Sequence, residues 1–580
     1  MLVLNYALGA LLQIVGTFGL IFIFSKISSS PYHSTKKKVL FFFALSYIVE
    51  ATFLGLLSFV YLTSKPFLIF YFWIKVILGM VYLKQHFKTI ITFLSENLWL
   101  TISIFALVFT CSVPTANFDC FSAHFSIPKL FIEATGYPIR PDYEYLDALP
   151  LSGHMWYLPG MAANFEGSLN IVSAIFSIAI ILMLYVFHGK KIAFIGFILL
   201  FGMPQWIRVT LDPMMDTPSC FYALFSFYLA QQYLRDPKKM MGPFFMASCF
   251  LISLKPTLFA FPVLATVLIL STFKKEVLTK STLLWVTFAF IAGGLWYFKN
   301  LVLHQNALYP HLFAGTSAPY IPPDLIPEKV SFLTSLLQYL KVIFIDHRYV
   351  LSYGPWPLIG LPLLFIFIKN KTVRLLLLYL CFGFLITWFF TSFKNRYYMP
   401  YLILAIPSLS FAIAKAGPWT QRLLKLNTAL TLLLFLPYFL QPAYAIFKNF
   451  NYESYYSFKY PKYEIFQRVN QSNPGKVLLV GQPSYWLKGS HQLSVVSETH
   501  LDFSRITELN ELLDHIRQAD IKTIVYDKTD AEGMAQKSDR YYSKKAYLAS
   551  RCSYWMDLLF NSPHVTMTMD ERGVLVGQLN

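Results

Sequence analysis

Asp119 and His124 stand five residues apart in the stretch NFDCFSAHFSIPKLFIEATGYPI (117–139), and Pro128 and Lys129 follow them. The stretch comes directly after an apolar run long enough to enter a bilayer, so these polar side chains fall at a membrane–water boundary. A second acidic pair, Asp212 and Asp216 in VTLDPMMDTPSC, immediately precedes another apolar run. Carboxylates at the ends of two separate spans can converge on one boundary pocket, which suits a reaction between a lipid and a water-soluble molecule. Cations are spaced along the same chain: Arg208 ahead of the second acidic pair, Lys255 in ISLKPTL, Lys299 beside Asn300 in LWYFKNLVLHQNALYPHLF, and Arg396 in KNRYYMP. Taken singly, each has a plainer reading. A lone Asp outside a span is usually solvated, and Trp, Tyr and Lys at span ends are usually interfacial anchors. Lys255 reads equally as a snorkelling side chain, and His124 as a hydrogen-bonded surface histidine.

The elements that must position these residues are membrane helices. Of the 580 residues 56% are hydrophobic and only 13% charged, about half the charged share of a soluble chain. Apolar runs at 7–25, 39–62, 67–83, 98–113, 169–187, 192–206, 217–234, 242–254, 257–271, 282–298, 354–368, 373–391, 400–414 and 428–445 predict about 14 spans. The pair around Lys255-Pro256 also reads as a re-entrant hairpin. The first run lacks a basic leader and a small-residue cleavage site, so it reads as retained.

The formal charge of +18 invites a nucleic-acid reading, but its distribution argues for membrane topology instead. Seven short alternate loops hold twenty of the 48 Lys and Arg residues, and the positive-inside rule places those loops in the cytoplasm. Both termini and the large loops 114–168 and 299–353 are then extracytoplasmic. The six cysteines form no metal-ligand pairs of the CxxC kind. Cys111 and Cys120 could pair in an oxidising compartment, although free buried thiols are the preferred reading.

Three blocks follow. Residues 1–90 form a three-span membrane segment in which Glu50 and Lys75 lie inside spans, as helix–helix contacts or as functional groups. Residues 91–445 form the long membrane body with its large external loops, and 446–580 change character. There KVLLVGQ (476–482) and IKTIVYD (521–527) read as strands buried on both faces, and ELNELLDHIRQA has helical period. VTMTMDERGVLVGQL reads as a terminal hairpin. The tail is expected to be a small extracytoplasmic α/β domain without phosphate loop or nucleophile elbow, so a supporting role is expected of it.

In order along the chain, these motifs resemble a family. D-x4-H-x3-P-K (Asp119, His124, Pro128, Lys129) followed by LPLSGHMWYLPGM is similar to the first external loop of GT-C membrane glycosyltransferases. That superfamily uses polyprenyl-phosphate sugars and includes protein O-mannosyltransferases and lipid A aminoarabinose transferases. The likeness continues in DTPSCFYALFSFYLA, FFMASCFLISLKPTLFAFP, GGLWYFKNLVLHQNALYPHLF and SFKNRYYMPYLILAIP, over roughly residues 95–445. It points to a poorly characterised bacterial branch and implies a mainly α, polytopic helical bundle of GT-C type. The three preceding spans depart from the minimal pattern.

The resemblance implies roles. The first-loop acid, Asp119, corresponds to the catalytic base, with His124 beside it, and the second acid corresponds better to Asp216 than to Asp212. A carboxylate takes the proton of an acceptor hydroxyl as its oxygen attacks the anomeric carbon. The leaving lipid phosphate then needs cations for its developing charge, and Lys255, Arg396, Lys299 and Arg208 are the phosphate-binding candidates. Some members position a divalent cation and others use none; two carboxylates and a histidine are too few ligands to argue one alone, so the metal stays unassigned. The implied function is transfer of a sugar from a polyprenyl-phosphate donor to an envelope acceptor, a lipid, glycan or protein, at the outer face of a bacterial inner membrane. The partners are thus the donor, the acceptor and membrane lipid, with no nucleic acid. The neighbouring enzyme class is a polysaccharide ligase or polymerase using a pyrophosphate-linked donor. The rival class is a flippase of lipid-linked sugars, but transporters place ionisable groups near the midplane and often show related halves. A non-catalytic anchoring protein is the third reading.

Overall fold

In the computed structural model, the described residues are 2–28, 30–115, 124–137, 150–272, 279–308, 369–390, 395–460, 462–472, 474–481, 506–535 and 543–580, with a few short pieces between them. Among them, six helices are long and apolar enough to cross a bilayer: Leu2–Ile27, Thr35–Phe59, Lys65–Glu96, Gly167–His188, Lys280–Leu303 and Tyr397–Lys415. A bent pair makes a seventh.

In chain order the helices that build the membrane part are α1 (Leu2–Ile27), α2 (Thr35–Phe59), α3 (Lys65–Glu96), α4 (Leu98–Thr110), α5 (Ser126–Glu133), α6 (Ser152–Met155), α7 (Leu158–Ala162) and α8 (Gly167–His188). There follow α9 (Lys190–Phe201), α10 (Pro204–Leu211), α11 (Asp216–Tyr233), α12 (Pro237–Leu254), α13 (Ala260–Ser271), α14 (Lys280–His304), α15 (Lys371–Phe390), α16 (Asn395–Leu402), α17 (Ile406–Lys415) and α18 (Pro418–Leu434).

The shortfall from 14 expected spans has physical reasons. Runs 217–234 and 242–254 are the helices α11 and α12, each of 18 residues, buried along nearly their whole length. Helices enclosed by other helices need no lipid-facing surface, so they tolerate the Ser, Thr and Gln that lower their hydropathy. Run 192–206 is bent by 90° between α9 and α10, where Pro204 opens the new helix and cannot continue the old one. Run 428–445 breaks into the end of α18 and two short helices, Leu436–Phe439 and Gln441–Phe447, each with a proline in its first turn. Leu98–Thr110 is only 13 residues long, and run 354–368 lies outside the described residues apart from Leu364.

Burial sorts the long helices into central and peripheral. The spanning windows of α2 and α8 are 78% buried, whereas those of α3 and α14 are 33% and 28% buried. The exposed side of α3 carries Phe70, Trp73, Ile77 and Met80, and that of α14 carries Leu283, Leu284, Phe290 and Phe298, which is the apolar surface a lipid face requires. Around α2 and α8 the core is aromatic: Tyr47, Trp156 and Phe176 contact one another with centroids 4.9 to 5.3 Å apart. Trp156 belongs to the segment that the sequence places in an external loop. Residues 150–160 are instead buried, and the Trp156 indole N–H donates to the Tyr47 carbonyl at 2.9 Å.

Among the described residues, α1 and α3 approach closely. A Cβ on Gly79 would lie 1.9 Å from the Val15 carbonyl oxygen, and one on Gly19 would lie 2.0 Å from the Lys75 carbonyl oxygen. Small residues let two backbones meet this closely in a membrane. Gly79→Val is expected to force the helices apart and to destabilise the protein by at least about 1–3 kcal/mol. Thermal unfolding in detergent reads this, with Gly294→Ala, where nothing lies within 4 Å, as a control that loses no stability.

The tail carries one six-stranded sheet of β1 (Lys476–Val480), β2 (His491–Val495), β3 (Glu498–Thr499), β4 (Ile521–Asp527), β5 (Val565–Glu571) and β6 (Val574–Leu579) in the order β3-β2-β1-β4-β6-β5. β1 is parallel to both β2 and β4, and the other pairings are antiparallel. Leu478, Val480, Ile524 and Tyr526 pack against Leu512, Leu513 and Ile516 of the helix Leu509–Gln518. The hairpin β5–β6 turns on Arg572 and Gly573, both with positive φ (52° and 73°), the backbone a two-residue hairpin turn requires. The Tyr455 hydroxyl donates to the Pro114 carbonyl at 3.3 Å, and Tyr6 and Tyr452 both donate to the Glu166 carboxylate. These contacts tie the start of the tail to α1, to α8 and to the beginning of the first large loop. Cys111 is a buried free thiol; Cys120 lies outside the described residues.

Candidate functional site

Asp216 is the first residue of α11 and is 2% exposed. Opposite it, α12 ends at Leu254 and the chain turns extended at Lys255 (φ −152°, ψ 131°) before a single 3-10 turn over Pro256–Leu258. Proline at 256 removes the N–H that would continue the helix and biases the preceding residue to extended backbone. That break points the lysine at the acid, and the Lys255 ammonium donates to Asp216 Oδ1 at 2.5 Å. The Lys255 ammonium also lies 5.4 Å from the centre of the Tyr397 ring on α16. The Tyr401 hydroxyl, one turn on, donates to the Thr257 carbonyl at 2.6 Å and holds α16 against the break. The Asp216 side chain is 3% exposed and that of Lys255 14%. The lysine, not the acid, is therefore the member of the pair that a ligand can reach.

A second group adjoins the first through residues 152–154. A Cβ on Gly153 would lie 2.0 Å from Met215 Sδ, so this segment packs directly on the residue before Asp216. On one side of Gly153, the Ser152 hydroxyl accepts from the Trp296 indole N–H at 2.8 Å. On the other, His154 Nε2 is 3.0 Å from His124 Nδ1, one ring nitrogen donating to the other, with the rings stacked at 5.0 Å. His154 is 5% exposed; its burial pushes the imidazole well below its ordinary pKa, and His124 beside it acts in the same direction. One turn beyond Trp296, Lys299 is 5% exposed, with its ammonium 5.1 Å from the Tyr137 ring centre and 5.8 Å from that of Trp296. Ring faces attract a desolvated ammonium through their quadrupole.

The remaining candidates fall as follows. Asp119 lies outside the described residues, between Thr115 and His124. The Thr115 hydroxyl donates to Asp212 Oδ1 at 2.9 Å, so the first loop begins beside the second acidic segment and returns to the histidine pair. Arg396 sits on α16 next to Tyr397, and its side chain is not among those described. Arg208 is exposed on α10 and forms no ion pair among the described residues. Among the described candidates the structure pairs Lys255 with Asp216 and His124 with His154, sets Lys299 by the Tyr137 and Trp296 rings, and leaves Arg208 exposed on α10. The sequence reading did not single out Ser152, His154, Trp296 or Tyr397. His154 and Ser152 stand inside the quoted motif LPLSGHMWYLPGM, but nothing in their spacing signals that this loop folds back into the core.

Among the described residues no three His, Cys, Asp or Glu side chains group to hold a metal ion, and no step below is routed through one. Chemically, the Asp216 carboxylate holds the partly exposed Lys255 ammonium in place where an anion can reach it.

A model of a domain of unknown function, DUF8201, matches residues 161–340, the stretch that contains Asp216, Lys255 and Lys299. No curated protein sequence matches the chain. Among solved structures, that of ArnT from Cupriavidus metallidurans bound to undecaprenyl phosphate aligns over 83% of this chain and 97% of its own, with a TM-score of 0.52 and 12% identity. The likeness is one of fold: the chain has an ArnT-like arrangement of membrane helices.

Proposed function

We propose that the protein is an integral membrane glycosyltransferase of GT-C type that moves a sugar from a polyprenyl-phosphate donor to an envelope acceptor. What carries this reading is the fold likeness over 83% of the chain to a protein whose structure holds undecaprenyl phosphate. The partly exposed Lys255 at the break after α12 agrees with it, because a lipid phosphate is what a reachable cation at such a boundary would receive. In this reaction an acceptor oxygen attacks the anomeric carbon, the bond from that carbon to the phosphate oxygen breaks, and the lipid phosphate leaves with the bonding pair. Asp119 takes the acceptor proton as general base. Lys255 and Lys299, with Arg396 and Arg208 as further candidates, stabilise the charge on the departing phosphate. Asp216 keeps Lys255 aimed. Single displacement inverts the anomeric carbon. The outer face of a bacterial inner membrane, with both termini extracytoplasmic and residues 446–580 as a docking domain for the acceptor, completes the proposal.

Purified protein in lipid, offered a panel of radiolabelled polyprenyl-phosphate sugars and an envelope extract, tests it. Wild type is expected to transfer label, and Asp119→Asn to reduce transfer by about 10²–10⁴-fold while keeping the wild-type melting profile. Unchanged transfer in the variant removes Asp119 from the mechanism. Movement of the lipid-linked sugar across the bilayer without transfer replaces the enzyme by a flippase.

A further inference from the structure

Away from this site, Trp99 of α4 and Phe194 of α9 form an open apolar groove of about 530 Å³ whose remaining lining residues are Lys190 and Lys191. The indole ring contacts Phe194 and Phe197 edge-on or tilted, each at 5.4 Å, which fixes the groove wall. Lys190 donates to the Glu96 carbonyl at the end of α3 at 2.6 Å, and Lys191 donates to the Ala414 carbonyl near the end of α17 at 3.3 Å. Each ammonium is thereby anchored to a carbonyl near a helix end, while the two side chains line the groove. Each has three N–H donors, and neither forms an ion pair with a described carboxylate. The loop carrying them is one of the short basic loops that the positive-inside rule assigns to the cytoplasmic surface.

We infer that this groove binds an anionic membrane phospholipid, with its phosphate between Lys190 and Lys191 and the upper part of an acyl chain against Trp99 and Phe194. The charge selects the occupant. A zwitterionic lipid would fill the apolar wall equally well but would bring an ammonium of its own to two fixed ammoniums. An anionic headgroup such as phosphatidylglycerol's carries net negative charge and no cation. Basic pockets between membrane helices recognise such headgroups, so losing both lysines should weaken retention on the order of tenfold or more. The inference is independent of the glycosyl-transfer reading, because the groove shares no residue with that site.

The experiment is native mass spectrometry of the full-length protein from nanodiscs of phosphatidylglycerol or phosphatidylcholine, with thermal midpoints measured in both. Wild type is expected to retain phosphatidylglycerol selectively and to melt higher in it, with the difference falling as salt rises. Lys190→Gln/Lys191→Gln is expected to lose the selectivity. Equal retention of both lipids by wild type, or undiminished selectivity in the double variant, overturns the proposal. Should the double variant fail to fold, the wild-type comparison of the two lipids decides alone.

Discussion

Asp216→Asn is expected to cost the protein about 3–5 kcal/mol of stability and to abolish sugar transfer, because it strands a largely buried ammonium without its carboxylate. The partner is 2.5 Å away, and the two side chains are only 3% and 14% exposed, so little water is available to replace the lost oxygen. Combining the change with Lys255→Met separates the two consequences. Without either charge there is nothing left unpaired, and an apolar side chain of similar length fills the space. The double variant should therefore recover most of the wild-type melting temperature. It should not recover transfer, since the cation proposed to meet the donor phosphate is gone. Restored stability with restored transfer would demote the pair to a structural contact. Thermal unfolding in detergent and the radiolabel assay, run on the same preparations, give the answer.

Glu50→Leu should be comparably destabilising, again by about 3–5 kcal/mol, and here the double variant should restore everything. Glu50 on α2 and Lys75 on α3 pair at 2.5 Å with side chains 0% and 1% exposed. The surroundings add Tyr71, whose ring centre is 5.2 Å from the ammonium, and Tyr47, whose hydroxyl is within hydrogen-bonding distance of Thr17 at 2.8 Å. Unlike Lys255, neither charge faces an opening, so the pair serves to match α2 with α3 inside the bundle. Glu50→Leu/Lys75→Leu is accordingly expected to melt within about 1 kcal/mol of wild type, or above it, and to retain transfer. Folding yield, melting temperature and transfer of the two single variants and the double one check this. Loss of transfer by a well-folded double variant would make Glu50 and Lys75 functional rather than structural.

The two pairs show how far the chain could be read in advance. Both pairs consist of residues that stand out in the sequence, since Glu50, Lys75 and Lys255 interrupt apolar runs and Asp216 heads one. Intramembrane charges announce themselves because each is costly alone. Which charge meets which is not announced. Asp216 and Lys255 are 39 residues apart in sequence, and their meeting depends on the extended break at Lys255. The buried strands of the tail were legible because a run such as KVLLV, apolar on both faces, has few alternatives. Which apolar runs become helices with a lipid-facing surface was not, because α11 and α12 are sheltered by other helices and need not be apolar enough to face lipid.

By itself, then, the sequence determined that this is a helical membrane protein with acids, a histidine and lysines gathered at the ends of particular apolar runs, because composition, span length and charge asymmetry are local properties. Only the tertiary structure decided that Asp216 is spent on Lys255, that Lys299 sits between Tyr137 and Trp296, and that residues 150–160 return into the core and set His154 against His124. Those choices depend on distances between segments far apart in the chain, which no periodicity records, and on desolvation, which exists only once the helices have closed around the side chains.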